Sequence, residues 1–144
     1  MTQIDKLTVD RGHICGGSII TEWHVLTAAH CEPFTNDTYV IVGEHNLEDD
    51  VNEGGQRIPV AEYYLYNNGM DLMSWMNDIA ILRLAKKIIL GDHVGLVEWR
   101  DSPSARYEGE VATVIGWGRI STTHEVTVWC YMGTFTGLKG GLQS

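Results

Sequence analysis

Between residues 14 and 90 the chain breaks into short β-rich runs, at 14–20, 23–28, 38–42, 57–66, 79–84 and 86–90. No stretch of about a dozen residues keeps a helical period. Runs of this length divided by turn signals predict an all-β barrel or sandwich. The punctuation agrees, because Pro33 to Asp37, Asn52 to Gln56, Asn67-Asn68-Gly69 and Gly91-Asp92 are clusters of turn-forming residues. A single helical turn over Ala28 to Cys31 is the one exception the pattern allows.

The flanks differ from this segment. Residues 1–13 are polar and mixed and are expected to form an N-terminal extension. Residues 98–108, with Arg100-Asp101-Ser102-Pro103-Ser104-Ala105-Arg106, have the composition of a polar linker. Beyond it, Glu110 to Ile115 is a β-type run leading into Gly116-Trp117-Gly118, and Glu125 to Trp129 is a candidate partner. From Cys130 onward the chain is Gly-rich with little pattern, and this tail is expected to be poorly ordered or to need a partner.

Charge and hydropathy exclude several functions. A net charge of −9 sets the average field against polyanions, so nucleic acid is not an expected partner. No window holds the ~18 apolar residues of a helical membrane span, and no membrane association is expected. Asp5, Lys6, Asp10 and Arg11 occupy the region where a signal peptide would carry its apolar run.

Two short motifs carry chemistry. Leu26-Thr27-Ala28-Ala29-His30-Cys31 follows Cys15-Gly16-Gly17-Ser18, and Asn77-Asp78-Ile79-Ala80-Ile81-Leu82-Arg83-Leu84 comes later. An imidazole, with an unperturbed pKa near ~6.5, can accept a hydroxyl proton at neutral pH. A carboxylate bonded to its Nδ1–H would fix the tautomer and stabilise the imidazolium. Taken singly, His30 could be an ordinary turn residue and Asp78 a turn Asp ahead of a strand. Together the two motifs resemble the His and Asp segments of the chymotrypsin/trypsin-like serine proteases, in which a serine, a histidine and an aspartate carry out acyl transfer.

That resemblance implies a six-stranded antiparallel β-barrel over residues 14–97 that carries His30 and Asp78. An incomplete second barrel over residues 109–144 would follow the linker. It further implies a disulfide between Cys15 and Cys31, worth roughly 3 kcal/mol in the chain-entropy model, and hence an oxidising, extracellular compartment. Cys130, whose family partner would be a later cysteine not found here, is left as either a free thiol or part of a divergent tail. The implied partner is a polypeptide substrate or a component of a protease cascade.

The nucleophile is the departure from this pattern. Ser18, Ser74, Ser102, Ser104, Ser121 and Ser144 are the serines of the chain, and none lies in a Gly-Asp-Ser-Gly-Gly stretch. Such a stretch would present two backbone N–H groups to an oxyanion. Ser18 follows Gly16-Gly17 but matches a structural serine of the first barrel. An Ile-Val-Gly-Gly type start is not found before His13, and the specificity pocket belongs to the part of the family pattern not matched. The polypeptide alone is therefore expected to be inactive.

Two groups of residues have metal-ligand chemistry. Glu44, the Asn46 carbonyl and Glu53 resemble a calcium loop, in which a hard cation gathers oxygen ligands. The loop is lengthened, however, and the last carboxylate of the usual set falls on Gly55, so a solvated acidic loop is the preferred reading, with weak calcium binding as the alternative. No other cofactor is expected. His13, Cys15, His30 and Cys31 offer zinc-type ligands, but a disulfide would occupy both thiols and adjacent His30-Cys31 is poor ligand spacing. Two functional expectations follow: a fragment or incomplete form of a secreted endopeptidase, or a non-catalytic homologue that acts by binding or regulation.

Overall fold

The computed structural model describes residues 2–6, 12–31, 37–46, 55–69, 71, 76–98, 111–117 and 131–136. The chain divides into two compact units, Met1–Glu98 and Trp99–Ser144. In the first unit six strands are formed: β1 (Thr2–Lys6), β2 (Gly12–Thr21), β3 (His24–Thr27), β4 (Thr38–Val42), β5 (Gln56–Leu65) and β6 (Ala80–Leu84). They close into a barrel in the order β1-β2-β3-β6-β5-β4, with β4 returning to β1 and every pairing antiparallel. Closure leaves no free edge, which removes the main aggregation hazard of a small sheet.

Alternation decides which side chains fill the barrel. Along β6, Ala80, Leu82 and Leu84 are buried while Ile81 and Arg83 are half-buried; along β3, Val25 and Thr27 are buried and their neighbours are not. The period of two is the strand signature. Ile19, Val25, Val40, Val42, Ile58, Leu82 and Leu84 meet in one core with Ala29, Cys31 and Ile88. Each fully buried leucine or isoleucine here contributes roughly 1.5–3 kcal/mol relative to exposure.

Two expectations about the barrel are corrected. Residues 1–13 were expected to stand apart as an extension, yet β1 lies inside them and is bonded to β2 on one side and β4 on the other. Its Thr-Gln-Ile-Asp-Lys sequence has a single apolar residue, so what marks it as a strand is backbone pairing, which leaves no hydropathic trace. The run 86–90 was expected to be a strand and is not one. Ile88 instead drops into the core, its N–H donating to the Glu22 carbonyl at 2.8 Å. Ile89 and Leu90 remain exposed.

A side chain substitutes for the missing strand partner. The Gln56 Nε2 donates to the Ile89 carbonyl at 2.8 Å, and the Ile89 N–H donates to Gln56 Oε1 at 2.8 Å. Further on, the Val97 N–H donates to the Ile19 carbonyl at 2.9 Å, so the segment after β6 is tied back to β2.

The second unit contains β7 (Val111–Gly116) and β8 (Tyr131–Thr136), an antiparallel pair whose register runs from Val111 opposite Thr136 to Gly116 opposite Tyr131. The strand expected from Glu110 to Ile115 corresponds to β7. Its partner differs from expectation: β8 falls in the tail read as patternless, and the run Glu125 to Trp129 lies outside the described residues. The linker beyond Glu98 and Cys130 also lie outside them. No helix among the described residues is long and apolar enough to cross a membrane.

Candidate active site

One strand pairing assembles the site. β3 and β6 run antiparallel with Thr27 opposite Ala80. His30 lies three residues past the end of β3, and Asp78 two residues before the start of β6, so both leave the barrel at the same end. Positions 48 residues apart in sequence thereby become neighbours.

Local chemistry then fixes each side chain. After β3 the chain makes a single 3₁₀ turn, Ala29–Cys31, with the Cys31 N–H directed at the Ala28 carbonyl. Ala29 and Cys31 are buried and His30 is exposed, so the turn drives its two small side chains inward and its imidazole outward. Cys31 is bonded to Cys15 of β2, with a Cα–Cα distance of 6.2 Å. Thr27, also buried, donates its hydroxyl to the Gly16 carbonyl at 2.9 Å and lies 3.8 Å from Cys31 Sγ. The disulfide and this hydrogen bond hold the turn against β2 from both sides.

Asp78 leads into β6 from Asn77, whose φ of 62° is left-handed. Asparagine tolerates that region better than most residues. The Ile79 N–H donates to the Asn77 carbonyl at 2.8 Å, which tightens the bend. The Asp78 carboxylate grips His30 twice. Oδ1 accepts the His30 backbone N–H at 2.9 Å, and Oδ2 lies 2.8 Å from ring Nδ1. The hydrogen bond from the ring, and next the one from the His30 backbone, hold the Asp78 carboxyl below the usual carboxylate range, with partial burial opposing them. An ionised carboxylate only accepts hydrogen bonds. Nδ1 therefore carries a proton, so that in the neutral imidazole Nε2 is the acceptor; the side chain is 52% exposed.

The other expected residues are dispersed. Ser18 sits within β2 opposite Leu26, as part of the barrel wall. Ser74, Ser102, Ser104, Ser121 and Ser144 lie outside the described residues. Glu44 and Asn46 follow β4. Glu44 Oε1 accepts the His45 N–H at 3.2 Å, Glu44 Oε2 is buried with no hydrogen-bond partner among the described residues, and Asn46 is buried. Glu53 lies outside the described residues. His13, on β2 two residues before Cys15, has its pKa lowered by burial.

Two features of the site escaped the sequence reading. The hydroxyl of Thr27 and the second hold of Asp78, on the backbone of His30, were not anticipated. A polar β-branched residue on the inward phase of β3 was the available signal for the first. For the second there was none, because a backbone donor has no side-chain identity.

The Trypsin family model matches residues 3–135, almost the whole chain. The chain belongs to the trypsin family. Among curated relatives, chymotrypsin-C of Mus musculus is 40% identical over 111 residues, covering 76% of this chain and 41% of the relative. Thrombin-like enzyme 1 of Trimeresurus albolabris is 32% identical over 112 residues, 78% of this chain and 41% of the relative. The chain spans about two fifths of the length of these relatives. Of solved structures, human heparin binding protein superimposes with a TM-score of 0.81 at 22% identity, over 94% of this chain and 58% of that one, a likeness of fold. The structure of GrC gives 0.80 at 26% identity, again over 94% and 58%. A trypsin-family barrel thus stands on its six strands and its disulfide as well as on sequence.

Proposed function

We propose that this chain carries the base and orienter of a trypsin-like serine endopeptidase, a secreted hydrolase of polypeptides. His30 Nε2 would take the proton of an attacking serine hydroxyl and return it to the leaving amine, while Asp78 fixes the tautomer and stabilises the imidazolium. The observation that carries this reading is the double grip of Asp78 on His30. A bond to the backbone N–H as well as to Nδ1 fixes the position of the residue and the rotation of its ring together. Extracellular placement is supported by the Cys15–Cys31 bond and by relatives such as a snake venom serine protease.

Hydrolysis needs a nucleophile and an oxyanion hole, and the 144 residues contain no serine within a Gly-Asp-Ser-Gly-Gly stretch. The polypeptide by itself is accordingly inactive. In this chemistry, loss of one triad member lowers kcat by several orders of magnitude. A fluorophosphonate probe tests it: the purified polypeptide stays unlabelled and leaves peptide substrates intact. Labelling at any serine, or hydrolysis that disappears in His30→Ala, overturns the assignment of inactivity.

The alternative, a homologue that works by binding alone, has no need of an oriented imidazole, and the retained His30–Asp78 geometry favours the protease reading. Weak calcium binding by Glu44, the Asn46 carbonyl and Glu53 belongs to the proposal as well. It is supported by the buried Glu44 oxygen that lacks a hydrogen bond among the described residues, since a hard cation satisfies such an oxygen. A calcium-dependent rise in Tm that is lost in Glu44→Gln is the expected result.

A further inference from the structure

We infer that His30 Nε2 is itself a nucleophile toward activated acyl donors, so that the chain hydrolyses aryl esters through an acylated imidazole with no serine involved. Histidine is among the side chains that form covalent intermediates in catalysis. Asp78 Oδ2 lies 2.8 Å from ring Nδ1, which leaves Nε2 as the atom with a free electron pair in the neutral ring. Asp78 Oδ1 holds the His30 backbone N–H at 2.9 Å, so the residue does not drift from its partner. Among the described residues no side chain other than Asp78 is hydrogen-bonded to the ring. With the side chain 52% exposed, the imidazole is open to solvent.

The groups around it leave this role to His30. The sulfurs of Cys15 and Cys31 lie within 4.8 Å of a His30 ring nitrogen, but they are bonded to each other and offer no competing thiolate. His24 is the instructive comparison. Its Nδ1 is also partnered at 2.8 Å, but by the Thr21 hydroxyl. A hydroxyl has no charge to set against the positive charge a ring acquires on acylation, whereas the Asp78 carboxylate does.

The Nε2 electron pair forms a bond to the ester carbonyl carbon. As the tetrahedral adduct collapses, the C–O bond breaks and its electron pair leaves with the aryloxide. The ring is then an N-acyl imidazolium whose Nδ1–H still faces Asp78. Water adds to the acyl carbon and gives up a proton that neutralises the aryloxide; the C–N bond breaks and its electron pair returns to Nε2. Ester and water have become acid and phenol. Leaving-group chemistry sets the substrate class, because an activated aryloxide departs from the adduct more readily than imidazole does. The amine of a peptide departs less readily, so a peptide adduct reverts and peptides stay intact. This activity rests on the dyad alone and not on the protease reading.

The test uses the full chain with its disulfide intact and carrying Cys130→Ser, which removes the remaining thiol, with p-nitrophenyl acetate as the probe. Nitrophenolate release should exceed that of an equal concentration of free imidazole and should turn over. His30→Ala and Asp78→Asn should each slow it by at least about 10-fold, the second because an amide N–H facing Nδ1 moves the ring proton to Nε2. A solvent deuterium isotope effect near unity is expected of direct attack; a large one marks base-assisted attack by water and overturns the nucleophile. Diethyl pyrocarbonate, an activated acyl donor whose imidazole adduct persists, should modify His30 before His24 by peptide mass spectrometry and abolish release in step. That readout needs no substitution, so it decides even where a variant at position 30 fails to fold. Release no faster than with free imidazole, release unchanged in a folded His30→Ala, or earlier modification of His24 overturns the activity. A fluorophosphonate, which labels an active serine, reads the protease assignment separately.

Discussion

Thr27 and Ala80 face each other across β3 and β6, and this register sets where His30 and Asp78 emerge. A slip of one residue would send the inward side chains of β6 to the opposite face. Leu82 and Leu84, both buried, make such a slip costly. The geometry of the dyad is thus maintained by barrel packing some residues away from it.

The depressed pKa of Asp78 has a consequence for acid stability. Its carboxyl is held down by the His30 ring and backbone hydrogen bonds, so the folded state binds its proton less readily than the unfolded chain does. The stabilisation is fully present above the unfolded value, near ~3.9, and is lost as pH falls through the lower folded value. The difference in urea midpoint between the protein and Asp78→Asn should be constant above about pH 5 and shrink below about pH 4. A difference that persists unchanged to the lowest pH at which the barrel folds would count against an ionised Asp78 in the dyad.

The disulfide contributes separately. Its 16-residue separation corresponds to roughly 3 kcal/mol in the chain-entropy model. Cys15→Ala/Cys31→Ala should lower the unfolding free energy by about 2–5 kcal/mol, read from denaturant titration. Adding Thr27→Val should cost more than it does with the bridge intact, because the Gly16 bond then stands alone in pinning the turn to β2. A double-mutant cycle checks this, and strict additivity would show that the two restraints act independently.

The His–Asp constellation was legible because its chemistry resides in side-chain identity. Thr38 to Val42 was legible too, as a short β-rich run beyond a turn cluster, and its bounds as β4 match the sequence reading. β1 was not, because it is held by backbone bonds to β2 and β4 and carries little hydropathic signal. The run 86–90 misled in the opposite sense. Its apolar residues suggested a strand, but hydropathy alone does not report whether a partner strand is available, and here the Gln56 side chain takes that role.

That misreading supplies a sharp comparison. Ile88 is 1% exposed and Ile89 is 73% exposed, although they are adjacent and identical. Ile88→Ala should destabilise the first unit by about 2–5 kcal/mol, the cost of a core cavity. Ile89→Ala should stay within about 0.5 kcal/mol. Gln56→Ala should fall between them at about 1 kcal/mol and speed amide exchange at Ile89, whose N–H loses its acceptor. Equal effects at 88 and 89 would show that the two side chains do not differ in burial, and larger effects at 89 than at 88 would invert the assignment.

The sharpest test of the barrel is at its first strand. β1 has a hydrogen-bonded neighbour on each side, so its backbone donors are committed in both directions. Proline at an interior position of such a strand removes a ladder donor and cannot be moved to an edge. Ile4→Pro should therefore lower stability by at least about 2 kcal/mol, and should speed amide exchange in β2 near Cys15 and in β4 near Val40, the two residues opposite Ile4. Opening the barrel there would also expose the edges of β2 and β4, so concentration-dependent self-association by light scattering is expected of this variant. If Ile4→Pro unfolds and exchanges like the unaltered protein, residues 2–6 are dispensable and the barrel closes without them; the register that brings Asp78 to His30 would then have to rest on β3, β6 and β5 alone.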